Sequence, residues 1–215
     1  MVSFCCRILG SSIGRKVIVA VAGLLLCGFL VTHLAGNLFL YVGAEQFNYY
    51  AKTLEESPLI LPAEIILAAI FLAHIVVSLK LRWENKQARP VGYVMQESKG
   101  GRTPGSRTMA VSGILLLAFL IVHIRTFKFG EGPDLYTVVM TAFSNKAYSL
   151  FYVVAMGALG LHLSHGFQSA FQTLGLSHPR YSAYIRAAGL LFALAIAGGF
   201  ATFPIWAGFL VGGAQ

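Results

Sequence analysis

The chain has 215 residues, 57% of them hydrophobic and only 11% charged, with a mean hydropathy of +0.72, which is too apolar for an ordinary water-soluble domain. The net charge of +8 points to a membrane surface and not to nucleic acid once the positions of the basic residues are considered. Cys5, Cys6 and Cys27 form no CxxC or CxxCH spacing, which argues against an iron–sulfur cluster, a zinc site or covalently attached haem on this chain, and the absence of a Walker A or GxGxxG pattern argues against a nucleotide site.

Five apolar stretches follow in order, at about residues 17–41, 59–80, 108–127, 147–172 and 187–211. Each approaches or exceeds the roughly 20 residues needed to cross hydrocarbon. The expected fold is therefore all-α, an integral membrane bundle of five transmembrane helices filling residues 1–215 as one domain. The first stretch follows Arg15 and Lys16, but its length is too great for the apolar part of a signal peptide, and cleavage would strand His33. Residues 43–58 make a first loop carrying Glu45, Glu55 and Glu56 and closing on Ser57-Pro58, a helix-stop signal. Residues 81–107 make a polar, basic loop broken at Arg89-Pro90 and Gly100-Gly101-Arg102-Thr103-Pro104. Gly130-Glu131-Gly132-Pro133-Asp134 signals a turn in the next loop, and residues 175–184, with His178-Pro179-Arg180, make the last connection.

With the N-terminus in the cytoplasm, Arg7, Arg15, Lys16, Lys80, Arg82, Lys86, Arg89, Lys99, Arg102, Arg107, Arg180 and Arg186 lie inside, against Lys52, Arg125, Lys128 and Lys146 outside. That bias predicts an inside N-terminus and an outside C-terminus.

His33, His74, His123 and His162 sit one apiece in the first four stretches. Ionisable side chains in hydrocarbon are costly and usually face a partner or cofactor. At 1.5 Å per residue, His33 and His123 each lie roughly 22–24 Å above the inner face, near the outer side, while His74 and His162 lie roughly 22 Å below the outer face. Two matched depths separated by roughly 15 Å leave room for two stacked macrocycles. Paired neutral imidazoles from facing helices suit low-spin, non-covalent b-type haem engaged in electron transfer. A metal or proton pathway lined by the same histidines is the competing reading. His165 lies three residues from His162, about 60° around the helix, and competes for the fourth ligand role; depth favours His162, with His165 expected beside it as a second contact. Gly28, Ala35, Gly36, Gly157, Gly160, Gly189, Gly198 and Gly199 are small enough to flank a porphyrin, or to let helices pack closely. His178 is expected to be an ordinary loop residue.

Several segments resemble the single-chain, five-helix, di-haem cytochrome b subunit of bacterial succinate dehydrogenases and quinol:fumarate reductases. They are Ser11-Ser12-Ile13-Gly14-Arg15-Lys16, Thr32-His33-Leu34-Ala35-Gly36-Asn37, Gly43-Ala44-Glu45-Gln46-Phe47-Asn48 and Leu161-His162-Leu163-Ser164-His165-Gly166. The resemblance covers nearly the whole chain. It implies that His33 and His123 bind an outer haem and His74 and His162 an inner one, the fourth ligand standing at the family's distance before Gly175. Some relatives carry a glutamate for transmembrane proton transfer where this chain has Gly160. The resemblance further implies a quinone site near the outer haem, with Glu55 as proton relay and Glu56 as its alternative; Glu64 is a second candidate. It implies menaquinone as the usual quinone, location in the bacterial cytoplasmic membrane, and a flavoprotein and an iron–sulfur protein docked at the cytoplasmic face. Dicarboxylate chemistry would reside on those partners. A di-haem subunit of a hydrogenase or formate dehydrogenase, and a haem-free histidine-lined transporter, are the alternatives.

Overall fold

The structure of the chain is a computed structural model that describes residues 10–88 and 103–211. The expectations for Cys5, Cys6, Arg7, Arg89-Pro90, Lys99 and Gly100-Gly101-Arg102 lie outside the described residues. Among those that are described, all regular structure is helical: α1 (Ser12–Asn37), a short α2 (Phe39–Val42), α3 (Ala44–Glu55), α4 (Ile60–Gln87), α5 (Pro104–Phe127), α6 (Leu135–Ser144), α7 (Lys146–Thr173) and α8 (Ser182–Ile205), which continues as a π-helical turn over Trp206–Val211. Five stretches, Ser12–Val42, Ile60–Gln87, Pro104–Phe127, Lys146–Thr173 and Ser182–Val211, are long and apolar enough to cross a membrane.

Four of these helices outrun the apolar segments by several residues, and all four do so at the same end of the bundle. Helix α1 begins at Ser12, α4 runs on to Gln87, α5 begins at Pro104 and α8 at Ser182. Local chemistry accounts for the added turns. The Ser11 hydroxyl accepts from the Gly14 N–H at 3.0 Å; Thr103 and Ser106 form a reciprocal capping box with Pro104 in the first turn; and Leu81-Arg82-Trp83-Glu84 continues α4 with residues that tolerate helix well. At this end, the basic-loop end, an Arg15–Glu84 ion pair ties α1 to α4.

The opposite end carries two helices where the sequence suggests only loops. Gly43, at φ +131°, takes a turn into α3 that a side chain would disfavour, and Asp134 caps α6 by accepting from the Thr137 N–H at 2.9 Å. Asn48 of α3 locks the two together: its amide donates to Asp134 Oδ1 at 2.9 Å and its oxygen accepts from the Tyr136 N–H at 3.0 Å. The bonds from the Thr137 backbone and from Asn48 hold the Asp134 carboxyl below the usual carboxylate range. This short-helix end closes over a cluster that includes Leu40, Phe47, Val139, Phe143, Tyr152 and Phe203.

Helix α7 is the centre of the bundle and is flanked by α1, α5 and α8, whereas α4 packs mainly on α1 and has no buried residue. Several of the small residues expected near a ligand instead let helices approach, the association mode that works in lipid. A Cβ on Gly160 would stand 3.3 Å from Ala197, on Gly189 3.0 Å from Phe167, on Gly199 2.8 Å from Leu34, and on Gly36 2.6 Å from the Tyr50 hydroxyl. Gly28, Gly157 and Gly198 have nothing within 4 Å and are exposed, as is Ala35.

Candidate functional site

The histidines that residue counting sets at equal depth are the ones whose rings meet. His33 of α1 and His123 of α5 have ring centroids 5.8 Å apart at 84°, and His74 of α4 and His162 of α7 are 6.3 Å apart at 70°. Helices α1 and α5 hardly touch otherwise, nor do α4 and α7, so each pair reaches across a gap between helices. All four rings are half-buried.

Hydrogen bonds assign the ring protons. His74 Nδ1 lies 3.2 Å from the Val19 carbonyl; a carbonyl only accepts, so Nδ1 carries the hydrogen and Nε2 keeps its lone pair. His162 Nδ1 lies 3.3 Å from Ser112 Oγ, and that hydroxyl already donates to the Met109 carbonyl at 3.1 Å. Ser112, only 2% exposed, is therefore the acceptor, and His162 takes the same tautomer. His123 Nδ1 lies 3.3 Å from the Tyr152 hydroxyl. The His33 ring has no hydrogen bond among the described residues; it is stacked on Phe29 at 5.2 Å and faces Phe200 at 5.6 Å.

A metal held between two imidazole nitrogens at roughly 2 Å each, with roughly 1 Å from nitrogen to ring centre, sets the centroids about 6 Å apart. Both pairs meet that distance. No group of three or more His, Cys, Asp or Glu converges among the described residues, so each pair can supply two ligands and no more. Such a donor set suits an ion that brings its other ligands in a planar macrocycle, and it suits a protein-only zinc or iron site poorly. The residues thus fit haem. Two glycines that the sequence reading passed over open the space beside the His74–His162 pair: a Cβ on Gly23 would lie 3.3 Å from His74 Cε1, and one on Gly113 3.6 Å from His162 Cε1. Recognising them requires the rotational phase of α1 and α5 against neighbours that are distant in sequence.

The remaining candidates are not drawn into either pair. His165 belongs to neither; its Cβ is 3.0 Å from where a Cβ of Gly105 would stand, at the start of α5. His178 works locally, its Nδ1 accepting from the Arg180 N–H at 3.2 Å while its ring stacks on Tyr181. Glu55, at the end of α3, is exposed, and exposed Glu56 stands 3.7 Å from Lys52; among the described residues no hydrogen bond or ion pair joins either acid to a histidine. Glu64 is ion-paired with Lys128 across α4 and the end of α5. A cleft of about 480 Å³ is lined by Phe39, Glu45, Gln46, Tyr49, Tyr50 and Thr53, without Glu55. No protein-family model, curated protein or solved structure matches the chain.

Proposed function

We propose that the chain is a five-helix, di-haem cytochrome b and the membrane anchor of a succinate:quinone oxidoreductase, passing electrons between an iron–sulfur partner and a membrane quinone, with menaquinone expected. The observation that supports this most is the pair of histidine bridges, 5.8 and 6.3 Å between ring centres, each joining helices that otherwise stand apart. Haem bound at each bridge would supply a one-electron carrier. His33 and His123 would hold one group, His74 and His162 the other; Val19 O and Ser112 keep the second pair in the tautomer that presents Nε2. Phe29, Phe119, Phe127 and Phe200, all in ring contact with the first pair, exclude water from it.

In this reading the N-terminus is cytoplasmic, and the basic-loop end meets the iron–sulfur and flavoprotein subunits in the bacterial cytoplasmic membrane. Glu55, with Glu56 beside it, exchanges protons with quinone from the outer side, where both acids reach water. Glu64, engaged by Lys128, is the weaker choice.

A dithionite-reduced minus oxidised spectrum, with haem quantified per polypeptide, tests the proposal. Two b-type haems are expected, and His33→Ala and His74→Ala should each remove a different one. Folded protein without haem would overturn it in favour of a histidine-lined transporter, and co-purification with a nickel or molybdenum subunit would transfer the chain to a hydrogenase or formate dehydrogenase.

A further inference from the structure

Four polar groups form a closed ladder between α5 and α7 at the His33–His123 pair. His123 Nδ1 is 3.3 Å from Tyr152 Oη, Tyr148 Oη is 3.1 Å from Tyr152 Oη, and Tyr148 Oη is 2.8 Å from Thr126 Oγ1. Thr126 returns the ladder to α5, three residues beyond His123, and Tyr148 and Tyr152 are one turn apart on α7. Tyr152 is only 5% exposed and is walled by Phe119, Phe127 and Phe143, so its hydroxyl has no water to turn to and must share its hydrogen within the ladder.

Proton counting gives the ladder a direction. Tyr148 has one hydrogen and two neighbours. A phenol is a stronger acid than an aliphatic alcohol, so the shorter contact is Tyr148 donating to Thr126. The geometry offers the one Tyr148 hydrogen to Thr126 and to Tyr152 alike; once it is spent on the shorter contact, the 3.1 Å contact is left to the Tyr152 hydrogen, with the Tyr148 oxygen accepting. With its hydrogen committed to Tyr148, Tyr152 can only accept from His123, which places the ring hydrogen on Nδ1 and leaves Nε2 its lone pair. The reverse direction, from Thr126 through both tyrosines to His123, would protonate Nε2 and block it as a ligand.

We infer that Tyr152, held as an acceptor by Tyr148 and Thr126, is the positioning residue that fixes the tautomer of His123. The inference deepens the haem reading and rests on it for its purpose, although the tautomer itself exists with or without a bound group. It makes Tyr148 and Thr126, neither of them in hydrogen-bond contact with the histidine, determinants of the His33–His123 centre. Loss of such an outer partner weakens metal binding by about 10- to 100-fold.

The experiment is nitrogen NMR on protein carrying labelled histidine, together with haem quantified per chain and the redox spectrum of each centre. Thr126→Val keeps the shape of the side chain but strands the Tyr148 hydrogen, which turns to Tyr152 and drives that hydroxyl's hydrogen toward His123. Tyr148→Phe does the same in one step. Both variants should move the His123 signal from the Nδ1–H to the Nε2–H pattern and lower occupancy of that centre about tenfold, while His74, bonded to a backbone carbonyl, keeps its signal and its centre stays filled. Tyr152→Phe removes the acceptor without offering a competing donor, so its effect should be smaller than that of Tyr148→Phe. An Nε2–H pattern for His123 in the unaltered chain, or an unchanged signal in both Thr126→Val and Tyr148→Phe, would overturn the inference. Absence of haem alongside the expected tautomer changes would instead overturn the cytochrome reading and leave the ladder standing.

Discussion

Around His33 and His123 the neighbours are rings, Phe29, Phe119, Phe127, Tyr152 and Phe200; around His74 and His162 they are a backbone carbonyl, a buried serine and two glycines. One pair is shaped by volume that is present and the other by volume that is withheld. Their sensitivities should therefore be opposite: the aromatic pair tolerates small additions and suffers from truncation, and the glycine-flanked pair suffers from growth. The difference also separates two ways of holding a tautomer. A main-chain carbonyl cannot be mutated away or reverse its role, whereas a hydroxyl ladder can be redirected from a distance.

The sharpest way to break this contrast is to add bulk at Gly23. With a Cβ already 3.3 Å from His74 Cε1, Gly23→Val should empty the His74–His162 centre, taking haem from two per chain to one, with the other centre intact by spectrum. Gly157→Ala, where nothing lies within 4 Å, is the control and should retain both. Ser112→Ala comes next: His162 loses its hydroxyl acceptor and keeps only the Met109 carbonyl, and binding at that centre should weaken by about tenfold at most, measured by haem retention on dilution. If Ser112→Ala leaves retention untouched, the serine is only a helix-packing group.

Smaller effects test the frame around the pairs. Phe119→Leu removes edge-to-face contacts with Tyr152 at 4.8 Å and a ring contact with His123, and should lower stability by about 1 kcal/mol, read as a fall in thermal midpoint together with weaker haem retention at the His33–His123 centre. Glu84→Gln unpairs Arg15 at the basic-loop end and should cost about 1 kcal/mol or less, an effect that shrinks with salt. The mildest change is at the Asn48–Asp134 lock. Because the folded state depresses the Asp134 carboxyl, the lock contributes fully above the ordinary carboxylate range and is lost as pH falls through the depressed value. Amide exchange at Thr137 should accelerate over that acid window, and Asp134→Asn should abolish the dependence.

Much of the architecture was legible because lipid imposes length and periodic depth. Five apolar runs announced five helices, and counting at a fixed rise set His33 level with His123 and His74 level with His162. What stayed hidden depends on rotation and not on depth. Gly23 and Gly160 look alike in a sequence, yet one faces a histidine ring and the other Ala197, because that choice is made by how neighbouring helices turn. The polar ends of α1, α4, α5 and α8 escaped notice because an apolar run stops where hydrocarbon stops, while hydrogen-bonded turns go on until capping or composition ends them. Helices α3 and α6 were masked by flanking turn signals, although Asp134 ahead of an apolar Val139–Phe143 spacing was a readable N-cap.

Both histidine pairs join one partner from the first two spans to one from the third and fourth, with 90 residues between His33 and His123 and 88 between His74 and His162. During synthesis, the α1–α4 hairpin would enter the bilayer with two histidines that have no counterparts; the His33–His123 bridge could not close before α5 emerges, nor the His74–His162 bridge before α7. A group captured by both pairs would then act as a pair of rivets between an early and a late half. Because only the closed form binds, loading would draw the equilibrium toward docking. Helix α4, with none of its residues buried, would gain the most from that capture.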